Sequence, residues 1–171
     1  MLKIIPAESK LQYRQVRELF AELASWDTSQ VSQLGLDGQK ALDFYYASGE
    51  EALPGVYTPP NGRMFLATHS TKAAGCGGFH GMTKEVCEIK RMYVRPEFRR
   101  MHIGGKLMEN LIVTAKDAGY LVMRLETVSF MDKAIAMYSS FGFKTCPAYY
   151  QIPLSFRAIT VFMHLNLADL G

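Results

Sequence analysis

The sequence predicts a mixed α/β fold in which a central sheet of about six to seven strands is flanked by about four helices. Three observations carry that expectation. Short apolar runs of strand length alternate with segments whose apolar residues recur at helical spacing. Residues 64–68 and 74–80 are separated by Ser70, Thr71 and Lys72, the composition of a turn between paired strands. Residues 121–127 form a continuous apolar run broken only by Arg124 and Glu126, as in a buried strand.

Taken in order, residues 2–5 form an apolar run that stops at Pro6, a first strand. From Ser9, the residues Leu11, Val16, Leu19, Phe20 and Leu23 fall mostly on one helical face, with Arg14, Arg17, Glu18 and Glu22 opposite. A second helix is expected over residues 39–47, where Ala41, Leu42, Tyr45 and Tyr46 alternate with polar positions. Pro54, Gly55, Pro59, Pro60, Asn61 and Gly62 mark a turn-rich connection that is too proline-laden for a sheet interior. Gly75, Gly77, Gly78 and Gly81 then point to a crowded strand or turn, and residues 87–94 to the next strand.

Ile103, Leu107 and Leu111 recur every four residues, with Met108, Ile112 and Ala115 on the neighbouring row, giving a helix that Gly119 closes. After the buried strand, Met131, Ala134, Ile135, Tyr138 and Phe141 mark another helical face, ended by Gly142. Residues 143–145 and 159–165 are the last strands, joined through an aromatic and proline-rich segment.

Composition bounds the function. With 171 residues and 49% hydrophobic content, residues 1–171 are expected to form a single domain around one core. A net charge of +3 is too mild to indicate nucleic acid as a partner. The densest basic cluster is Lys90, Arg91, Arg95, Arg99, Arg100 and Lys106, which also suits a polyanionic cofactor. Cys76, Cys87 and Cys146 are odd in number and widely spaced, behind an N-terminus with no signal-like pattern, so a disulfide framework is not indicated and a cytoplasmic location is expected. The histidines and cysteines show no metal-ligand spacing, so no metal is expected, and no apolar run is long enough to span a bilayer, so no membrane partner is.

The chemistry concentrates between Glu88 and Lys106: a strand, a short basic turn, and a helix whose first turn carries Gly104 and Gly105. Glycine costs about 1 kcal/mol relative to alanine inside a helix, so two together ask for a reason, and close approach of a ligand to bare backbone is one. A helix start leaves its first amides without intrahelical partners and concentrates positive charge there, so it can seat phosphate. A Walker loop is excluded because Arg100 and Leu107 occupy its first glycine and hydroxyl positions. Gly-x-Gly-x-x-Gly spacing fails at His80.

Arg99, Arg100, Met101, His102, Ile103 and Gly104 resemble the Arg/Gln-x-x-Gly-x-Gly/Ala pyrophosphate loop of the GNAT superfamily of N-acetyltransferases. The Met92-Tyr93-Val94-Arg95-Pro96 strand end before it and the segment from Ala134 and Tyr138 to Gly142 and Phe143 after it match the same family, over roughly residues 87–143. His102 stands where the family has glycine, which leaves amide donation rather than positive φ as its expected role. The resemblance implies a mostly antiparallel sheet of the acyl-CoA N-acyltransferase type. It also implies acetyl-CoA as co-substrate and direct transfer to an amine, on a small molecule or a peptide, by a monomer or homodimer.

Carried over residue by residue, backbone groups of Met92 and Val94 would hold the pantetheine arm in a splay between the fourth and fifth strands, and the backbone amide of Tyr93 or Val94 would face the thioester carbonyl oxygen. Arg99, Arg100, Met101, His102, Ile103, Gly104, Gly105 and Lys106 would form the phosphate seat. Tyr138 would protonate the departing thiolate, although it also lies on an apolar face that suits a core residue. Met131 replaces the asparagine that the family often has seven residues before this tyrosine, which removes one amide contact. Glu88, the carboxylate on the strand entering the splay, is the candidate base, with Glu126 in reserve, and an ion pair with Lys90 or Arg124 is its equal alternative. A non-catalytic acyl-CoA sensor on the same fold remains the second reading.

Overall fold

The computed structural model describes residues 1–46 and 53–171. Its chain order is β1 (Leu2–Pro6), α1 (Lys10–Gln33), α2 (Gly38–Tyr46), β2 (Gly62–His69), β3 (Lys72–Gly81), β4 (Val86–Val94), α3 (Ile103–Asp117), β5 (Val122–Val128), α4 (Asp132–Ser140), β6 (Lys144–Cys146) and β7 (Thr160–Asn166). One sheet holds seven strands in the order β1-β2-β3-β4-β5-β7-β6. Every neighbouring pair is antiparallel except β4 and β5, which run parallel. A mixed α/β, mostly antiparallel sheet with four α-helices is therefore the architecture that the sequence predicts. The part of the second helix expected at Ala47 lies outside the described residues.

α1 begins with a reciprocal cap. Ser9 Oγ accepts the Gln12 amide at 3.2 Å, and the Gln12 side-chain oxygen accepts the Ser9 amide at 2.8 Å. The helix then runs 24 residues, ten beyond Leu23, the last apolar position that the sequence pattern assigned to it. Leu11, counted on the buried face, is 55% exposed, because it falls in the first turn before the helix meets the sheet.

Successive strand residues point to opposite faces, and the two faces are covered by different helices. Met64, Leu66 and Cys76 pack with Val16, Leu19, Phe20 and Leu23 of α1. Phe65, Ala67, Cys87 and Ile89 pack with Ile103, Leu107, Leu111 and Ala115 of α3. The glycine cluster is a crowded strand: a side chain at Gly75 would come within 2.6 Å of the Tyr93 carbonyl. Among the described residues no helix is long and apolar enough to cross a membrane.

Candidate active site

The parallel pair β4–β5 is short. Only Val86, Cys87 and Glu88 of β4 pair with Val122, Met123 and Arg124 of β5. Beyond them the strands part, and the opening is a narrow cleft walled by α1, α2, both strands and α4. Met92, Glu126, Met131 and Tyr138 line it, together with Asp27, Thr28, Tyr45, Tyr46 and Arg91. Met131 takes a weak hydrogen bond from Thr127 Oγ1 to its sulfur at 3.6 Å.

A bulge in β4 aims one of these groups. Gly77 of β3 faces the step between Lys90 and Tyr93, where the register shifts, and Arg91 takes φ of 60°. The bulge turns the Arg91 side chain into the cleft, where its guanidinium lies 4.2 Å from the Tyr46 ring centre and donates to the Tyr45 carbonyl at 2.9 Å. Tyr46 in turn donates its hydroxyl to Asp27 Oδ2. Asp27, Tyr46 and Arg91 thus join α1, α2 and β4.

Burial sets the acid–base character of these groups. It pushes the Asp27 carboxyl up to about 6, against the hydrogen bond from Tyr46 and the charge of Arg91. It pushes Glu126 up to about 7, with Glu88 and Asp27 adding to the effect and Lys90 and Arg91 opposing it. Burial also lowers Arg91 to about 10, against the pull of Tyr46, Glu126 and Asp27. Asp27 Oδ1, Thr28 Oγ1 and Glu126 Oε2 are buried without a hydrogen-bond partner among the described residues.

Glu88 has different surroundings. It is 4% exposed and accepts the Tyr149 hydroxyl at 2.6 Å, while His80 and Lys90 nitrogens lie at 3.3 and 3.2 Å. Burial opposes its charge, but the bonds from His80, Lys90 and Tyr149 outweigh that and hold the carboxyl below its usual value. It lies outside the lining of the cleft. A carboxylate so engaged is a weak base, and its ion pair with Lys90 is the one the sequence offered as the alternative.

The loop and helix start fall where the motif predicts. Lys106 donates its amide to the His102 carbonyl at 3.1 Å, the first bond of α3, which leaves the Ile103, Gly104 and Gly105 amides without an intrahelical acceptor. The His102 side chain does not cap them. Arg100 and His102 take φ of 79° and 55°. The expectation that His102 had lost the glycine's positive φ is thus overturned: histidine tolerates the left-handed region better than most residues, and it keeps the turn. Ile103 is buried in the core, so only its backbone faces the loop. Met101 and Lys106 are exposed. A side chain at Gly104 would come within 3.1 Å of the Met137 sulfur of α4, whereas one at Gly105 would meet open space.

The basic cluster is not one surface. Lys90 pairs with Glu88, Arg91 turns into the cleft, and Arg95 makes a two-pronged bond with Glu22 of α1, the shortest contact being 2.7 Å. Arg99 donates to the Val94 carbonyl at 3.1 Å, so Arg99 and Arg100 are the guanidinium groups left at the loop. Met92 lines the cleft, Tyr93 packs its ring in the core under α1, and Val94 packs toward α3.

Tyr138 is 6% exposed, lines the cleft, and stacks at a tilt on Phe143 with ring centres 6.0 Å apart. Burial raises its phenol well above the ordinary value, so it stays protonated at neutral pH. The Asp27–Tyr46–Arg91 linkage was not found in the sequence. A helix-face aspartate and a strand arginine carry no signal there, because the bulge that brings them together depends on an arginine in a conformation arginine rarely adopts.

The parallel pair β4–β5 thus parts near the uncapped start of α3, with the protonated phenol of Tyr138 in the opening, the arrangement that the resemblance to the acyl-CoA N-acyltransferase type implies. A family model for the acetyltransferase (GNAT) family matches residues 20–143. An uncharacterized N-acetyltransferase of Schizosaccharomyces pombe is 36% identical over 142 residues, covering 81% of this chain and 82% of the relative. The crystal structure of a GNAT-family acetyltransferase from Staphylococcus aureus superposes with a TM-score of 0.71 at 22% identity, over 98% of this chain and 99% of the other. The structure of yncA from Salmonella typhimurium, solved with its cofactor acetyl-CoA, superposes at 0.67 and 19% identity, over 99% and 96% of the two chains. The chain belongs to the GNAT family of acetyltransferases.

Proposed function

We propose that residues 1–171 act as one N-acetyltransferase domain that moves an acetyl group from acetyl-CoA to a primary amine directly, within a ternary complex. The observation that carries the reading is the pairing of Tyr138 and Glu126 in one cleft, a protonated phenol beside a carboxyl whose pKa is about 7. A general base is most effective when its pKa lies near the working pH. Glu126 therefore takes the role of base, and Glu88 that of an anchor for Tyr149 and Lys90.

The residues present fit acetyl-CoA: the free amides of Ile103, Gly104 and Gly105 suit a diphosphate, Arg99 and Arg100 add charge, and nothing fills the space above Gly105. The unpaired edge of β4 around Met92, Tyr93 and Val94 offers backbone groups to the pantetheine amides. Acetyl-CoA supplies the thioester, whose carbonyl carbon bonds to the acceptor nitrogen as its C–S bond breaks. Glu126 removes a proton from the bound amine so that its lone pair is free. Tyr138 hands its proton to the departing sulfur and regains one lost from nitrogen as the amide forms. Burial disfavours a phenolate and a thiolate alike, so the transfer is not hindered by the raised phenol. With Cys76, Cys87 and Cys146 free, we assign the protein to the reducing cytoplasm.

Calorimetry with acetyl-CoA tests the seat. Binding is expected with Kd roughly in the micromolar range typical of enzyme substrates, and Gly105→Asp should weaken it at least tenfold. That substitution has room, and an acidic residue in the first turn favours the helix, so folding is kept while phosphate is repelled. Unchanged affinity overturns the seat. Thiol release over a panel of amines tests turnover, and binding without release would make the protein a sensor.

A further inference from the structure

Three buried oxygens in the cleft have no hydrogen-bond partner among the described residues: Asp27 Oδ1 and Thr28 Oγ1 from α1, and Glu126 Oε2 from β5. All are acceptors, and a primary ammonium group carries three N–H donors. Buried acceptors left unmatched weaken a fold, so their retention in one opening calls for a group that fills them. Charge gives the same answer. Among the described residues, Glu88 and Lys90 offset each other as an ion pair at 3.2 Å, while burial raises the Asp27 and Glu126 carboxyls to about 6 and about 7. A monovalent cation offsets the charge those carboxyls take on as they ionise, and an added carboxylate would oppose it.

We propose that the acceptor is an apolar primary monoamine, bound as its ammonium ion by Asp27 Oδ1, Thr28 Oγ1 and Glu126 Oε2, and that the site discriminates against amino acids. The inference rests on the acetyl-transfer reading above and names its acceptor class. Tyr45, Tyr46, Phe130, Leu23 and Val31 give the cleft an aromatic and aliphatic wall for the rest of such a molecule. Tyr45 and Tyr46 are fixed at their hydroxyls by Thr160 and Asp27, so their rings form a set surface. In this arrangement Asp27 holds the ammonium ion and Glu126 takes the proton from it. Both carboxyls are raised by burial; Tyr46 and Arg91 act on Asp27, and Lys90, Glu88, Arg91 and Asp27 on Glu126, so arrival of a further cation drives protons off them.

Ligand-observed NMR and calorimetry with 2-phenylethylamine, 2-phenylethanol and L-phenylalanine, on the free and the coenzyme A-saturated protein, test this. The amine should bind at least tenfold more tightly than the alcohol or the amino acid. It should release protons near pH 7, seen as a heat that varies with the ionisation enthalpy of the buffer. Asp27→Asn should remove the preference of amine over alcohol while the alcohol's affinity holds, and Thr28→Val should reduce it. Equal affinity for amine and alcohol on the unmodified protein, or tighter binding of the amino acid, overturns the proposal whether or not the variants fold. If coenzyme A binds and thiol is released with other acceptors, such a failure leaves the acetyl-transfer reading intact.

Discussion

Replacing Glu126 by glutamine should make the protein more stable and less active, and the gain should depend on pH in a set way. In the folded chain its carboxyl is raised from 4.5 to about 7, chiefly by burial. A raised carboxyl destabilises the fold only where it must be ionised. The penalty is absent below about pH 4.5, grows as pH climbs, and is complete above about pH 7. At about 1.4 kcal/mol per pH unit the displacement is worth about 3 kcal/mol, and water entering the cleft brings the expected value to between roughly 1 and 3 kcal/mol. For a chain of this size that is a rise in Tm of roughly 2–10 °C at pH 8, with little difference at pH 4.5. Paired urea denaturation curves of the two proteins at both pH values measure it. Thiol release should fall roughly a hundredfold in the same variant, as expected when a general base is lost. A variant equally stable at pH 8, or one whose advantage grows as pH falls, refutes the account of Glu126 as a carboxyl held uncharged by its surroundings.

Tyr138→Phe keeps the ring on Phe143 and should lower kcat by roughly a hundredfold or more with thermal stability held, read by thiol release and calorimetry. His102→Val should cost about 1–2 kcal/mol in denaturant unfolding, because a β-branched residue resists the left-handed conformation at φ of 55°, and should weaken acetyl-CoA binding with it. Arg91→Met removes the cation that steadies Asp27 and Glu126, so both carboxyls should rise further and the midpoint of the pH–rate profile should move upward.

Much of this fold follows from local pattern. The four-residue repeat from Ile103 to Ala115 and the strand-length runs around it agree with the tertiary packing, because burial on one face is what both record. The uncapped start of α3 was legible for the same reason: a helix start with paired glycines is a local object. What escaped were features set by the meeting of distant segments. The extension of α1 to Gln33 is governed by its packing beside α2, and residues 24–33 mix polar and apolar side chains without a clean period. The contrast between Glu88 and Glu126 could not be read either. Two strand glutamates look alike in sequence, but Tyr149, His80 and Lys90 bond to Glu88 and hold its carboxyl down, whereas burial outweighs Lys90 and Arg91 at Glu126 and raises it.

The space that Met137 takes up beside Gly104 has a wider consequence: a side chain at position 104 would come within 3.1 Å of its sulfur. Met137 precedes Tyr138 on α4, so the opening turn of α3 and the phenol-bearing helix lie this close only while position 104 carries no side chain. On the reading proposed above, a larger residue there would lengthen the reach between the diphosphate and the phenol, and a thioester arm matched to the present distance would fall short.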